Sequence, residues 1–148
     1  MTVSKTKKTV RKTVRFATRF GLSSTQFMIL TPLPGSEFYR KVKKEGRFLF
    51  NDWGLFDAHH VVFQPAKFSL RTLQKAQMFS HRKFYSLLQS VKRILRRQWL
   101  EVGIAHYARN LNRVWKKKNK AYLKVIKLLA SPKNGHISID YKQDAGLD

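Results

Sequence analysis

Thr25-Gln-Phe-Met-Ile-Leu-Thr-Pro-Leu-Pro-Gly-Ser36 is the stretch on which the reading of this chain turns. Phe27 to Leu30 form an apolar run, Thr31 leads into two prolines and a glycine, and Ser36 follows as a helix start. A short apolar run bounded by turn residues is the pattern of a strand covered on both faces, as in a parallel sheet flanked by helices. Pro32 and Pro34 restrict the backbone, and Gly35 permits close approach of a ligand to the main chain. In barrels of parallel strands, ligands collect at such C-terminal strand ends.

Upstream, Val10, Val14, Ala17 and Phe20 recur at helical spacing and predict an inward face, with Gly21 closing the helix as a left-handed cap. Downstream, Ser36 predicts the N-cap of a short helix with Phe38, Tyr39 and Val42 inward, ended by Gly46. Phe48 to Phe63 is aromatic-rich and broken by turns at Asn51-Asp52 and Gly54. His59 to Phe63 reads as a second short strand stopped by Pro65. Ser69 then caps the longest expected helix, whose inward face runs Leu73, Ala76, Phe84, Leu87, Leu88, Val91, Leu95.

Beyond Gly103, a kink or a break, the apolar stripe resumes with Ile104, Ala108, Leu111, Trp115, Tyr122, Ile126 and Leu129. Ser131-Pro132 ends helical structure, and His136 to Tyr141 alternates like an edge strand or a loose tail. The expected fold is an α/β fragment, mostly helical. One or two short strands precede a helical C-terminal extension. The expected divisions are residues 1–48, a helix-strand-helix piece; 49–130, the helical extension; and 131–148, a loose tail.

Composition sets the outer limits. The 148 residues carry 31 Lys and Arg against 8 Asp and Glu, a formal charge of +23, which attracts polyanions and anionic membrane surfaces. There is no cysteine. Disulfides, a cysteine nucleophile, a zinc–thiolate site and a cysteine-held iron–sulfur cluster are therefore excluded within this chain. No stretch approaches the roughly 18 apolar residues of a membrane span. The basic N-terminus lacks the apolar core of a signal peptide, so the expected location is cytoplasmic, with peripheral membrane contact open.

Thr31-Pro32-Leu33-Pro34-Gly35-Ser36 followed by Phe38-Tyr39 resembles the late barrel strand of radical S-adenosylmethionine (SAM) enzymes. The resemblance continues in order through Glu45-Gly46-Arg47, Asp52-Trp53, Phe56-Asp57, His60-Val61-Val62-Phe63 and Pro65 to Leu73 and Phe84-Tyr85. This succession is similar to the C-terminal part of cobalamin-binding-type radical SAM proteins, in which a domain of unknown function follows the barrel. It implies that the short strands come from the end of a partial barrel, and that the parent enzyme uses SAM, a [4Fe–4S] cluster and cobalamin, as a methyltransferase acting on an unactivated carbon would. Leu30, Thr31, Pro32 and Gly35 are the residues that the resemblance places on the SAM side.

The family's Cys-x3-Cys-x2-Cys has no counterpart here, so no cofactor is expected to bind this chain alone and no catalytic or metal-ligating residue is assigned. The implied partner is the missing N-terminal half of such a protein.

His59 and His60, adjacent on a strand, point to opposite faces and cannot share a metal; Asp57 lies on the side His59 would face. Asp52 and Asp57 read as turn caps or as partners of Arg47. Lys92, Arg93, Arg96 and Arg97, then Arg109, Arg113, Lys116, Lys117, Lys118 and Lys120, surround Trp99, Tyr107, Trp115 and Tyr122. That pattern suits RNA or an anionic membrane surface, or a solvated face over a helical hairpin.

Overall fold

The computed structural model describes residues 3–66 and 69–130, with α1 side chains from Lys8 onward. The order is α1 Val3–Arg19, α2 Glu37–Lys44, a 3-10 turn at Trp53–Leu55, α3 Leu70–Phe84, α4 Leu87–Leu95, α5 Trp99–Lys118 and α6 Lys120–Leu129. The fold is mostly helical. The expected edge strand at His136 to Tyr141 lies outside the described residues.

Helix α3 is the hub. It lies against α1, α5 and α6, while α4 packs on α5. Val14 and Ala17 of α1 meet Phe84, Tyr85 and Ala105 in one apolar cluster, with Phe27 against it. Ile29, Val61, Leu70, Tyr122 and Ile126 form a second. Val42, Val62 and Phe63 form a third beneath Phe38, Phe48 and Phe56. Phe20, expected inward, is exposed, because the apolar arc of α1 centres on Val14 and Ala17.

Helix ends follow the residues. Ser36 caps α2, its hydroxyl accepting the Tyr39 amide at 3.1 Å. Ser69 caps α3 by accepting the Thr72 amide at 3.2 Å. Gly21 and Gly46 stand at φ 67° and 60° and close α1 and α2 with paired bonds back to the last turn. For Gly46 these run from Gly46 N to Lys43 O at 3.0 Å and from Arg47 N to Val42 O at 3.1 Å.

Two expectations about helices are corrected. The long helix after Ser69 ends at Phe84; Tyr85 and Ser86 leave the helical path, and α4 starts at Leu87. Gly103 neither kinks nor breaks α5, which runs through it to Lys118; the break comes at Asn119. Leu87, Leu88, Val91 and Leu95, expected inward, face solvent. A periodic stripe states that one face is apolar, not which side the body lies on.

The expected strands are also corrected: among the described residues there is no strand, only an isolated antiparallel bridge of Phe48 with Phe63. Phe27 to Leu30 is extended but has no strand beside it. Side chains at the C-terminal end of α3 stand where a neighbouring strand would lie. Tyr85 Oη accepts the Thr25 amide at 3.0 Å and donates to the Thr25 carbonyl at 2.9 Å. His81 Nε2 stands 3.1 Å from the Phe27 carbonyl oxygen and 3.3 Å from the Phe27 amide nitrogen, bonding one or the other according to tautomer. The Ile29 amide completes the row by donating to the Ala58 carbonyl at 2.8 Å.

Candidate functional site

The Thr31–Ser36 loop leaves the extended segment as a tight turn. The Ser36 amide donates to the Leu33 carbonyl at 3.1 Å, with Pro34 second and Gly35 third at φ 81°, the arrangement of a type II turn. A Cβ at Gly35 would meet no atom within 4 Å, so glycine is needed there for its φ. Pro32 is buried and anchors the loop, and the Thr31 hydroxyl donates back to the Ile29 carbonyl at 3.1 Å. Leu30 and Leu33 are exposed. The four residues assigned to the SAM side thus share one loop, with Leu30 outward, Pro32 packed inward and Thr31 half-buried between them.

Backbone polarity alternates along the segment that leads in. Thr25, Phe27 and Ile29 direct their amide groups to partners on the body of the protein. Gln26, Met28 and Leu30 are exposed, and their backbone groups meet no partner among the described residues. One edge of this would-be strand is satisfied by the body of the protein and the other is open.

The second extended segment is buried; one edge pairs with backbone, the Leu49 amide donating to the Val62 carbonyl at 2.9 Å and the Gln64 amide to the Arg47 carbonyl at 2.7 Å, while the other is held by side chains. The Val61 amide donates to Tyr122 Oη at 2.6 Å, and Tyr122 donates in turn to Gln74 Oε1 at 2.8 Å. Gln74 Nε2 donates to the His59 carbonyl at 2.9 Å. Burial pushes the Tyr122 phenol well above its ordinary value, against the opposing pull of its Val61 bond; the Asp57 charge adds to the rise. Tyr122 is therefore a neutral phenol that fastens the segment through its hydroxyl.

His59 and His60 do point apart. His59 Nδ1 bonds Gln77 Nε2 at 3.1 Å, whereas His60 is buried between Trp115 and Tyr122. Asp57 serves His60, not the side His59 faces: Oδ1 lies 2.8 Å from His60 Nδ1 and also accepts the His59 and His60 amides. His60 Nε2 is 2.9 Å from Asn119 Oδ1, whose amide nitrogen is turned to the Trp115 carbonyl. The two ring nitrogens thus lie against one oxygen each, from Asp57 and from Asn119, and the ring is fixed between them. Burial acts to raise the Asp57 carboxyl, but the His59 amide and the His60 ring outweigh it and hold the carboxyl below its ordinary value. This cluster ties the 57–60 turn to the α5–α6 junction. Asn119 had no signal in the sequence, because its role depends on the break between those helices.

Asp52 is a turn cap, accepting the Gly54 amide at 2.9 Å. Arg47 pairs with Glu45 and donates to the Gln64 carbonyl at 2.9 Å, so neither aspartate is its partner. Trp115 and Tyr122 pack inward, while Trp99 and Tyr107 are exposed. Arg113, Lys116, Lys117 and Lys120 rim a shallow basic depression around Leu123, on the α5–α6 side.

No group of three or more metal-ligating side chains occurs among the described residues. Without a cysteine, the chain does not fit a [4Fe–4S] cluster, and no reaction step is derived through one. Among the described residues no helix is long and apolar enough to cross a membrane. Comparison with protein-family models, with curated proteins and with solved structures returned no match to this chain.

Proposed function

We propose that this chain is the C-terminal portion of a cobalamin-binding-type radical SAM protein and acts by completing a barrel supplied by a separate, cysteine-bearing half. It performs no radical chemistry alone. Its Phe27–Leu30 segment becomes the last strand of that barrel, and the Thr31–Ser36 loop lies at the strand's ligand-binding end. The parent reaction is a cobalamin-dependent one, such as methyl transfer.

The observation that carries this reading is the one-sided bonding of the extended segment. The last strand of an open barrel has a strand on one edge only. Here Tyr85 and His81 cover one edge, and Gln26, Met28 and Leu30 present the other. An exposed edge of this kind is a template for another chain. The aliphatic side chains of Met28 and Leu30, both largely exposed, add apolar area that pairing would cover.

The test is reconstitution. A separately expressed barrel half bearing Cys-x3-Cys-x2-Cys, encoded beside this chain, is expected to co-purify with it as a one-to-one complex. The complex is expected to cleave SAM reductively faster than the barrel half alone. A neighbouring frame without those cysteines, or a barrel half that ignores this chain, overturns the proposal.

A further inference from the structure

Helix α4 is turned inside out. Its body-facing residues are polar: Ser90 is buried and accepts a 2.6 Å bond from Arg109, and Arg93 reaches the Leu22 carbonyl at 2.9 Å and the Glu101 carbonyl at 3.2 Å. Its solvent face is apolar. Leu88, Val91 and Leu95, spaced three and four apart, are 61%, 52% and 79% exposed, and Leu87 flanks them. The chain then turns at Arg97 and presents Trp99 and Leu100, 65% and 75% exposed, at the start of α5. An apolar face of this extent on the outside of a polar-backed helix is built to be covered.

We infer that this α4–α5 corner docks on an anionic lipid bilayer, with the leucines at the acyl boundary and Trp99 at the level of the headgroups. Charge complementarity selects the occupant. Lys92, Arg96 and Arg97 are exposed beside the apolar stripe, and no Asp or Glu occurs from Ala58 to Leu100. Aliphatic side chains rimmed by cations, with a tryptophan at the margin, match the interface of an anionic membrane. RNA would use the cations but has no place for the leucines. A second copy would set Lys92, Arg96 and Arg97 against their own like charges on a chain of +23.

Arg97 carries a further mark. It sits at φ 57° in the position that glycine fills in α1 and α2, with Arg97 N bonded to Ile94 O at 2.9 Å and Gln98 N to Arg93 O at 2.9 Å. Arginine there is conformationally unfavourable compared with glycine. It places a cation at the lipid-facing turn.

The experiment is vesicle sedimentation of the full chain on phosphatidylcholine alone and on phosphatidylcholine with phosphatidylglycerol. Variants Leu88→Gln/Leu95→Gln and Arg96→Gln/Arg97→Gly are compared with Lys116→Gln/Lys117→Gln on the separate basic depression. None of these side chains is buried, and circular dichroism checks the fold of each. Anionic vesicles are expected to bind the wild type and to bind the leucine variant at least tenfold more weakly. The Arg96/Arg97 variant is expected to lose about fivefold per charge, more than the Lys116/Lys117 variant loses. Brominated lipid is expected to quench the fluorescence that Trp99→Phe removes.

Absence of binding to anionic vesicles overturns the inference, as does equal binding by the leucine variant. So does concentration-dependent dimerisation that the leucine variant abolishes, or RNA retention that needs the same leucines. Reconstitution with a barrel half has no bearing on this outcome, so the two readings fail separately.

Discussion

Tyr122 in α6 and Val61 in the second extended segment are joined at 2.6 Å, phenol oxygen to amide nitrogen, 61 residues apart in the chain. The bond stands in for a sheet ladder. Buried backbone must be paired, and here side chains pair it, Tyr122 and Gln74 on Val61 and His59, Tyr85 and His81 on Thr25 and Phe27. A protein that lacks a sheet among its described residues still keeps extended segments in its core by this means.

Tyr122→Phe therefore strips the Val61 amide of its shorter bond and leaves Gln74 Oε1, at 3.2 Å, as its remaining acceptor. Loss of a buried bond of this kind costs about 1–3 kcal/mol. Urea unfolding is expected to show a lowered midpoint with an unchanged slope.

His81 makes stability depend on pH. Burial lowers its pKa, its Phe27 bond opposes that, and the neighbouring His59 charge lowers it further. The unfolded chain takes up the proton near the ordinary value of 6.5, whereas the folded chain resists it until lower pH. This contribution is complete above pH 6.5 and drains away as pH falls through the folded value. His81→Gln keeps a donor and an acceptor near Phe27 without the titration. Its unfolding free energy is expected to change less between about pH 7.5 and about pH 5.5 than that of the wild type.

Two positions near the α4–α5 corner respond oppositely to glycine. Arg97→Gly relieves the positive φ and is expected to raise stability by about 1 kcal/mol. Gly103→Ala, inside α5 with no atom within 4 Å of the added Cβ, is expected to raise it by a similar ~1 kcal/mol through helix propensity. Thermal denaturation of each variant checks both. The double variant Arg97→Gly/Gly103→Ala is expected to melt above either single variant.

Met28→Pro removes an amide hydrogen that has no partner among the described residues and leaves the Thr25, Phe27 and Ile29 bonds in place. Stability of the free chain is expected to stay within about 1 kcal/mol of wild type, since the substitution costs no native hydrogen bond. Pairing with the barrel half is expected to be lost, because proline cannot donate to a ladder. Size-exclusion chromatography of the mixture reads the difference.

The caps were legible in the sequence because they are local: Ser36, Ser69, Gly21 and Gly46 act within a few residues of themselves. The loop at Thr31 to Ser36 was legible for the same reason. Orientation was not. Leu88, Val91 and Leu95 make the same stripe whether it faces in or out, and only the bonds of Ser90 and Arg93 to distant residues fix the answer. Phe27 to Leu30 reads as a strand because it is a short apolar run cut off by turn residues, but a strand also needs a neighbouring backbone. The His81 and Tyr85 side chains that replace one lie 54 and 60 residues from the groups they bind.

The most direct test of the central claim is amide hydrogen exchange, resolved by residue, across residues 25–30, for the free chain and for its mixture with the cysteine-bearing half. The free chain is predicted to protect Ile29 and to leave Met28 and Leu30 exchanging like an open peptide, with both becoming protected when the partner is added. Protection of Met28 and Leu30 in the isolated monomer, or none gained in the mixture, would contradict the account.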